Sequence, residues 1–169
     1  MNKSILFAAV MLGFSAASFA QATASATATA TIIAPITLTN IEDMNFGNAA
    51  VIGSGTIDLD PDGSRTPFGG VTLPVVTGTV TAAAFAVTGE GTSTYSITLP
   101  AGNYTITRVS GAETMTVNAF NSFPTVGTGG TLVAGEDVVT VGATLNVGAA
   151  QVPGVYTNAT GFDVTVNYN

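Results

Sequence analysis

Apolar and polar residues alternate with a spacing of two along most of this chain. The clearest case is residues 162–169. Phe162, Val164, Val166 and Tyr168 fall on one side, and Asp163, Thr165, Asn167 and Asn169 on the other. Strict alternation of β-branched and aromatic residues predicts a strand with one buried face, so that the chain closes inside a sheet. A second alternating stretch stands near the opposite end. Ala22, Ala24, Ala26, Ala28, Ala30 and Ile32 share one face there, against Thr23, Ser25, Thr27, Thr29, Thr31 and Ile33. Coiled as a helix it would put threonine on every side, so an extended segment is the better expectation. Its composition also fits a low-complexity linker.

Short strand candidates separated by turn residues fill the interval. They lie at 35–40, 44–47, 56–60, 70–76, 79–88, 94–99, 104–109, 114–120, 139–147 and 152–156. Pro61-Asp62-Gly63, Pro100-Ala101-Gly102-Asn103 and Gly127-Thr128-Gly129-Gly130 read as turns or loops, and Glu136-Asp137 as an acidic turn. Glycine interrupts every stretch long enough to try an amphipathic helix. Roughly eight to ten strands at regular spacing predict an all-β fold, an immunoglobulin-like antiparallel β-sandwich. Phe46, Phe85, Phe120 and Phe162 fall on faces expected to pack inward.

The first residues change the setting. Met-Asn-Lys is followed by an apolar run and by Ser18-Phe19-Ala20. That is the pattern of a secretory signal over residues 1–20, cleaved after Ala20. The expected organisation is signal 1–20, Ala/Thr extension 21–32 and sandwich domain 33–169. No later stretch has the length and apolarity of a membrane-spanning helix. The sequence contains no cysteine, so the exported chain holds together by packing and sheet hydrogen bonds alone.

Charge narrows the partners. Lys3 leaves with the signal, and Arg65 and Arg108 then stand against ten acidic residues. With no basic patch, nucleic acid and anionic membrane surfaces are poor partners, and membrane insertion is not expected. With no histidine or cysteine, Ser-His-Asp and Cys-His machinery and zinc sites built on those residues are excluded. The scattered carboxylates do not suggest a glycosidase pair, so no enzyme activity and no cofactor are expected. Asp58, Asp60 and Asp62 before Gly63 resemble the opening of a calcium loop. Pro61 interrupts that pattern, and Gly69 stands where a bidentate glutamate is needed. A solvated hairpin turn explains the same residues.

The stretches Ala-Pro-Ile-Thr-Leu-Thr (34–39), Met-Asn-Phe-Gly-Asn (44–48), Val-Gly-Ala-Thr-Leu-Asn-Val (141–147) and the closing Phe-Asp-Val-Thr-Val-Asn-Tyr (162–168), in that order, resemble an exported bacterial family. It is catalogued as a domain of unknown function and looks related to the major subunits of Mat/Ecp-type fimbriae. The Phe-Gly near the start and the Val-Thr-Val-Asn-Tyr ending are also similar to spore-coat-U-like pilins of archaic chaperone–usher pili. The resemblance implies an immunoglobulin-like domain lacking one strand, with an apolar groove filled first by a periplasmic chaperone. An outer-membrane usher then delivers it to the next copy of the subunit, whose N-terminal extension adds the missing strand. On that basis Phe162, Val164, Val166 and Tyr168 form a wall of the acceptor groove. Ala22, Ala24, Ala26, Ala28, Ala30 and Ile32 face the groove as donor residues. Two features depart from the pattern: the donor face is mostly alanine, and the disulfide common among pilins is absent.

The first reading is therefore a structural subunit of a surface fimbria, passing through the periplasm to the cell surface. The alternatives are a self-contained exported sandwich that binds calcium or glycan, and a small outer-membrane barrel. The barrel is disfavoured because lipid-spanning strands need about ten residues and aromatic girdles.

Overall fold

A computed structural model describes residues 21–169; the signal segment read at 1–20 lies outside the described residues. Residues 33–169 form one compact unit. Residues 21–32, taken by themselves, are exposed throughout and carry no regular secondary structure.

Among the described residues every regular element is a strand and every pairing is antiparallel. The larger sheet is built around β9 (Glu136–Val147), a run whose odd-numbered valines, Ala143 and Leu145 alternate with polar residues and Gly142. Twelve residues are enough for β9 to serve two neighbours on one edge. Its first half pairs with β4 (Ala83–Thr88) and its second half with β2 (Ala50–Leu59). Gly142 stands at the handover. A Cβ there would collide with the Leu59 carbonyl, and the Asn121 amide lies close beside it. The other edge of β9 pairs with β7 (Thr114–Phe123), which continues to β6 (Tyr104–Arg108) and β10 (Tyr156–Thr157). β1 (Thr37–Glu42) lies outside β4, and β3 (Arg65–Thr72) outside β2. The smaller sheet has the order β11 (Thr165–Tyr168), β5 (Thr94–Thr98), β8 (Gly130–Thr131).

The sheets share a core, which makes the arrangement sandwich-like. Ala83, Phe85, Val87, Val139 and Val141 of the larger sheet pack with Tyr95, Ile97 and Val166 of the smaller one, and with Leu132. A second cluster, Ile57, Val71, Val117, Ala143, Leu145 and Val147, continues under the β2–β3 end. Met44 and Phe120 touch both clusters. Alternate residues of β4, β5 and β9 therefore point inward, the pattern of a half-buried strand.

The two arginines fasten loops. Arg65 donates to the carbonyl oxygens of Phe46 and, at 3.1 Å, of Asn48. Arg108 pairs with Glu113 at 3.2 Å and donates to the Pro153 carbonyl at 3.1 Å.

Four expectations need correction. Residues 44–47 make no strand; Asn45 forms an isolated bridge to Thr81 while Met44 and Phe46 pack inward. The apolar run at 70–76 ends its strand at Thr72, and Val75 and Val76 are exposed. β7 continues to Phe123 because a bulge between Asn118 and Asn121, with Ala119 at φ +48°, shifts the alternation. Ala119 is exposed as a result, instead of sharing the buried face of Val117. Glu136 and Asp137 are strand residues, not a turn: the turn before β9 is made by Ala134 and Gly135. Both have positive φ, as a tight two-residue hairpin requires.

Candidate strand-acceptor edge

β11 pairs with β5 in a single register: Thr165 opposite Thr98, Val166 opposite Ile97, Asn167 opposite Ser96 and Tyr168 opposite Tyr95. The Asn169 N–H donates to the Thr94 carbonyl at 3.2 Å, in the same register. In an antiparallel ladder, bonded and non-bonded pairs alternate along each strand. The odd-numbered residues of β11 therefore turn their N–H and C=O groups toward β5. Val166 and Tyr168, and Val164 just ahead of the strand, turn theirs to the opposite edge. Among the described residues no strand pairs with that edge.

Side chains on the same residues face the core. Val166 is buried, and Phe162, Val164 and Tyr168 are half-buried against the cluster shared by the two sheets. Asp163, Thr165, Asn167 and Asn169 are exposed. Phe162 joins an aromatic cluster. Its ring meets Phe85 and Tyr104 edge-on at 6.3 and 6.0 Å between centroids, and lies 4.9 Å from Phe120. These separations are in the range of favourable aromatic pairs.

Across the gap between the sheets, Cα atoms of β1 approach those of β11 within 8 Å. β1 pairs only with β4, so it too has a free edge among the described residues. One end of the seam is closed by side-chain hydrogen bonds. The Tyr168 hydroxyl donates to the Ala34 carbonyl at 3.0 Å and accepts from the Glu90 N–H at 2.6 Å. The Ala34 N–H donates to Glu90 Oε2 at 3.2 Å. Glycine is required beside this closure: a Cβ on Gly89 would strike the Tyr168 hydroxyl and crowd Leu132.

Three of the other sheet edges are blunted. β8 and β10 have two residues each, and β3 carries Pro67 and Gly69, the latter at φ +68°. Short strands, proline and glycine are common ways of denying an edge to a stray partner. The edge of β11, four residues long, carries neither proline nor glycine.

A family model described as a domain of unknown function, DUF4402, matches residues 36–168. The chain belongs to this family. No curated protein and no solved structure matches the chain. The DUF4402 match takes in β1 through β11 and leaves out the Ala/Thr stretch. Both β1 and β11 lie within the DUF4402 span.

The remaining sequence candidates are placed as follows. Ala22, Ala24, Ala26, Ala28, Ala30 and Ile32 are exposed, Ile32 to 92%. Asp58 lies within β2, opposite Thr66 and Thr144. Asp60 and Asp62 lie at the β2–β3 hairpin, turned by Gly63 at φ +83°. The Asp62 carboxylate accepts from the Ser64 N–H at 2.8 Å, and the bonds from Ser64 hold it below the usual carboxylate range. Asp60 exchanges backbone bonds with Gly63 and Ser64. Among the described residues no three acidic, histidine or cysteine side chains gather as a metal cluster, so the three aspartates do not converge as a calcium loop would need.

One polar pair was not anticipated. Tyr95 is fully buried and its hydroxyl donates to Asp137 Oδ2 at 2.7 Å. Burial, then the bond to Asp137, pushes its pKa well above the ordinary tyrosine value. Reading Asp137 as a turn residue hid this, since a loop carboxylate gives no reason to expect a buried partner.

Proposed function

We propose that this chain is a structural subunit of a bacterial surface fibre, assembled by donating a strand from one copy to the next. The observation that carries the reading is the edge of β11. Among the described residues Val166 and Tyr168 leave backbone donors and acceptors without a strand partner, beside side chains that face the core. A strand added there gains main-chain hydrogen bonds for affinity and alternate side-chain contacts for specificity.

The donor in this reading is the Ala/Thr segment of a neighbouring copy, with Ala22, Ala24, Ala26, Ala28, Ala30 and Ile32 facing the acceptor. Its residues are exposed and outside every ladder. Alanine knobs bury little area, at ~25 cal/mol per Å². Backbone bonding along the strand would then supply most of the contact, with Ile32 as its largest apolar anchor. Repeating a head-to-tail contact gives an open filament. The resemblance to Mat/Ecp major subunits and spore-coat-U-like pilins supplies the rest: export by a signal, a periplasmic chaperone that covers the edge, and an outer-membrane usher that passes the subunit to the surface.

The test compares the exported chain with a version lacking residues 21–33, by gel filtration and negative-stain microscopy. Filaments or stable ladders from the first and folded monomer from the second are expected. Monomer from both would overturn the reading in favour of a self-contained sandwich. Filaments from both would place the donor elsewhere.

A further inference from the structure

A cleft of about 410 Å³ opens at the end of the sandwich where β5 turns into β6 and where the chain enters β11. Its apolar lining comes from Leu99, Pro100, Tyr104 and Phe162. The turn supplies Asn103 and the loop before β11 supplies Asp163. Thr98 and Thr165 also line it, and the Asn103 amide and the Asp163 carboxylate have definite capacities. Asn146 donates to Asn118 Oδ1 at 2.9 Å, and Asn118 donates to Asn103 Oδ1 at 3.2 Å. This relay commits the Asn103 oxygen and leaves its Nδ2 as a donor with no partner among the described residues. The Asp163 carboxylate is exposed, and among the described residues it has no hydrogen-bond or ion-pair partner.

From this combination we infer that the cleft is a binding site for a neutral saccharide. An apolar lining that includes Tyr104 and Phe162 suits the carbon–hydrogen face of a pyranose, and a few placed polar groups fix its orientation. Asn103 offers a donor and Asp163 an acceptor, so vicinal hydroxyls, each both donor and acceptor, satisfy both. The Asp163 carboxylate and a net charge of −7 oppose an anionic ligand. A hard cation would find one carboxylate where several oxygens are needed. The volume falls in the range of small-molecule sites. Phe162 lines both this cleft and the proposed acceptor, whereas Asn103 and Asp163 belong to the cleft alone, so substituting them tests the cleft apart from fibre assembly.

The test is a glycan array carrying neutral and sialylated oligosaccharides, probed with the full chain, followed by calorimetric titration of the best-retained neutral glycan. Asn103→Ala and Asp163→Ala are made in parallel and checked by thermal melting, which both should pass because both residues are exposed. Retention on neutral glycans, weakened roughly tenfold in each variant, is the expected result. Retention confined to sialylated glycans, unchanged affinity in both folded variants, or no retention at all would overturn the inference.

Discussion

The hydroxyl of Tyr168 donates to the carbonyl of Ala34 across a separation of 134 residues, at 3.0 Å. The bond ties the residue at the end of β11 to the backbone just ahead of β1. The same hydroxyl takes the Glu90 N–H, so one oxygen joins the entry to β1, the β4–β5 connection and β11.

Tyr168→Phe keeps the ring and removes that oxygen. The loss expected in urea denaturation is about 1 kcal/mol, the net worth of a hydrogen bond with its partners left at the surface. Tyr168→Ala also empties half-buried space and should cost roughly 2–3 kcal/mol. Equal stability of Tyr168→Phe and the parent chain would show that the ring alone holds this end.

Separating the edge of β11 from its core face needs a substitution that touches only one of them. Val164→Pro removes an N–H directed away from β5 and leaves the β5 ladder its own donors. It should melt within a few degrees of the parent while failing to form filaments in negative stain. Val166→Asp places a charge at a buried position and should prevent accumulation of soluble protein. Filaments from Val164→Pro would mean that the free edge is not where strands add.

Tyr95 sets an alkaline limit. Its pKa is raised in the folded chain, so the native state holds the proton more tightly than the unfolded one. The associated stability is complete below the ordinary tyrosine value near pH 10 and falls as pH rises beyond it. Burial moves Tyr104 in the same direction. Urea midpoints measured from about pH 9 to about pH 11.5 should decline, and more gently in Tyr95→Phe. That variant should be weaker at neutral pH, by about 1 kcal/mol, because Asp137 loses its donor.

Gly130 offers a test of packing free of charge effects. A Cβ at this buried position would enter the ring of Tyr95, which is itself fully buried. Gly130→Ala should cost roughly 1–3 kcal/mol by overpacking, read as a lowered melting temperature.

Residues 162–168 could be read in advance because alternation there is uninterrupted and one face is wholly apolar. The buried faces of β5 and β9 were legible for the same reason. β7 was legible only to Asn118, since a bulge is a backbone event that the order of apolar residues does not encode. Phe123 illustrates the cost: a large aromatic near the end of the strand is 69% exposed because the bulge has moved it to the outer face. Val75 and Val76 misled in the opposite way, as apolar residues in an exposed connection. The edge itself lay beyond sequence reasoning. Which backbone groups of β11 go unpaired depends on register against β5, and register between strands far apart in sequence is a property of the fold.

The placement of β9 also bears on the order in which the domain can form. β4, β2 and β7 all precede β9 and all pair with it, so a chain synthesised from its N-terminus holds only separate strand pairs, such as β1–β4, β2–β3 and β6–β7, until residue 147 has emerged. β5 then waits for residues 165–168. Folding is thus a late, largely all-at-once event dominated by distant pairings, the kind that proceeds slowly. Until then several strand edges are open to any passing chain, and a nascent copy has most to gain from an escort that masks them.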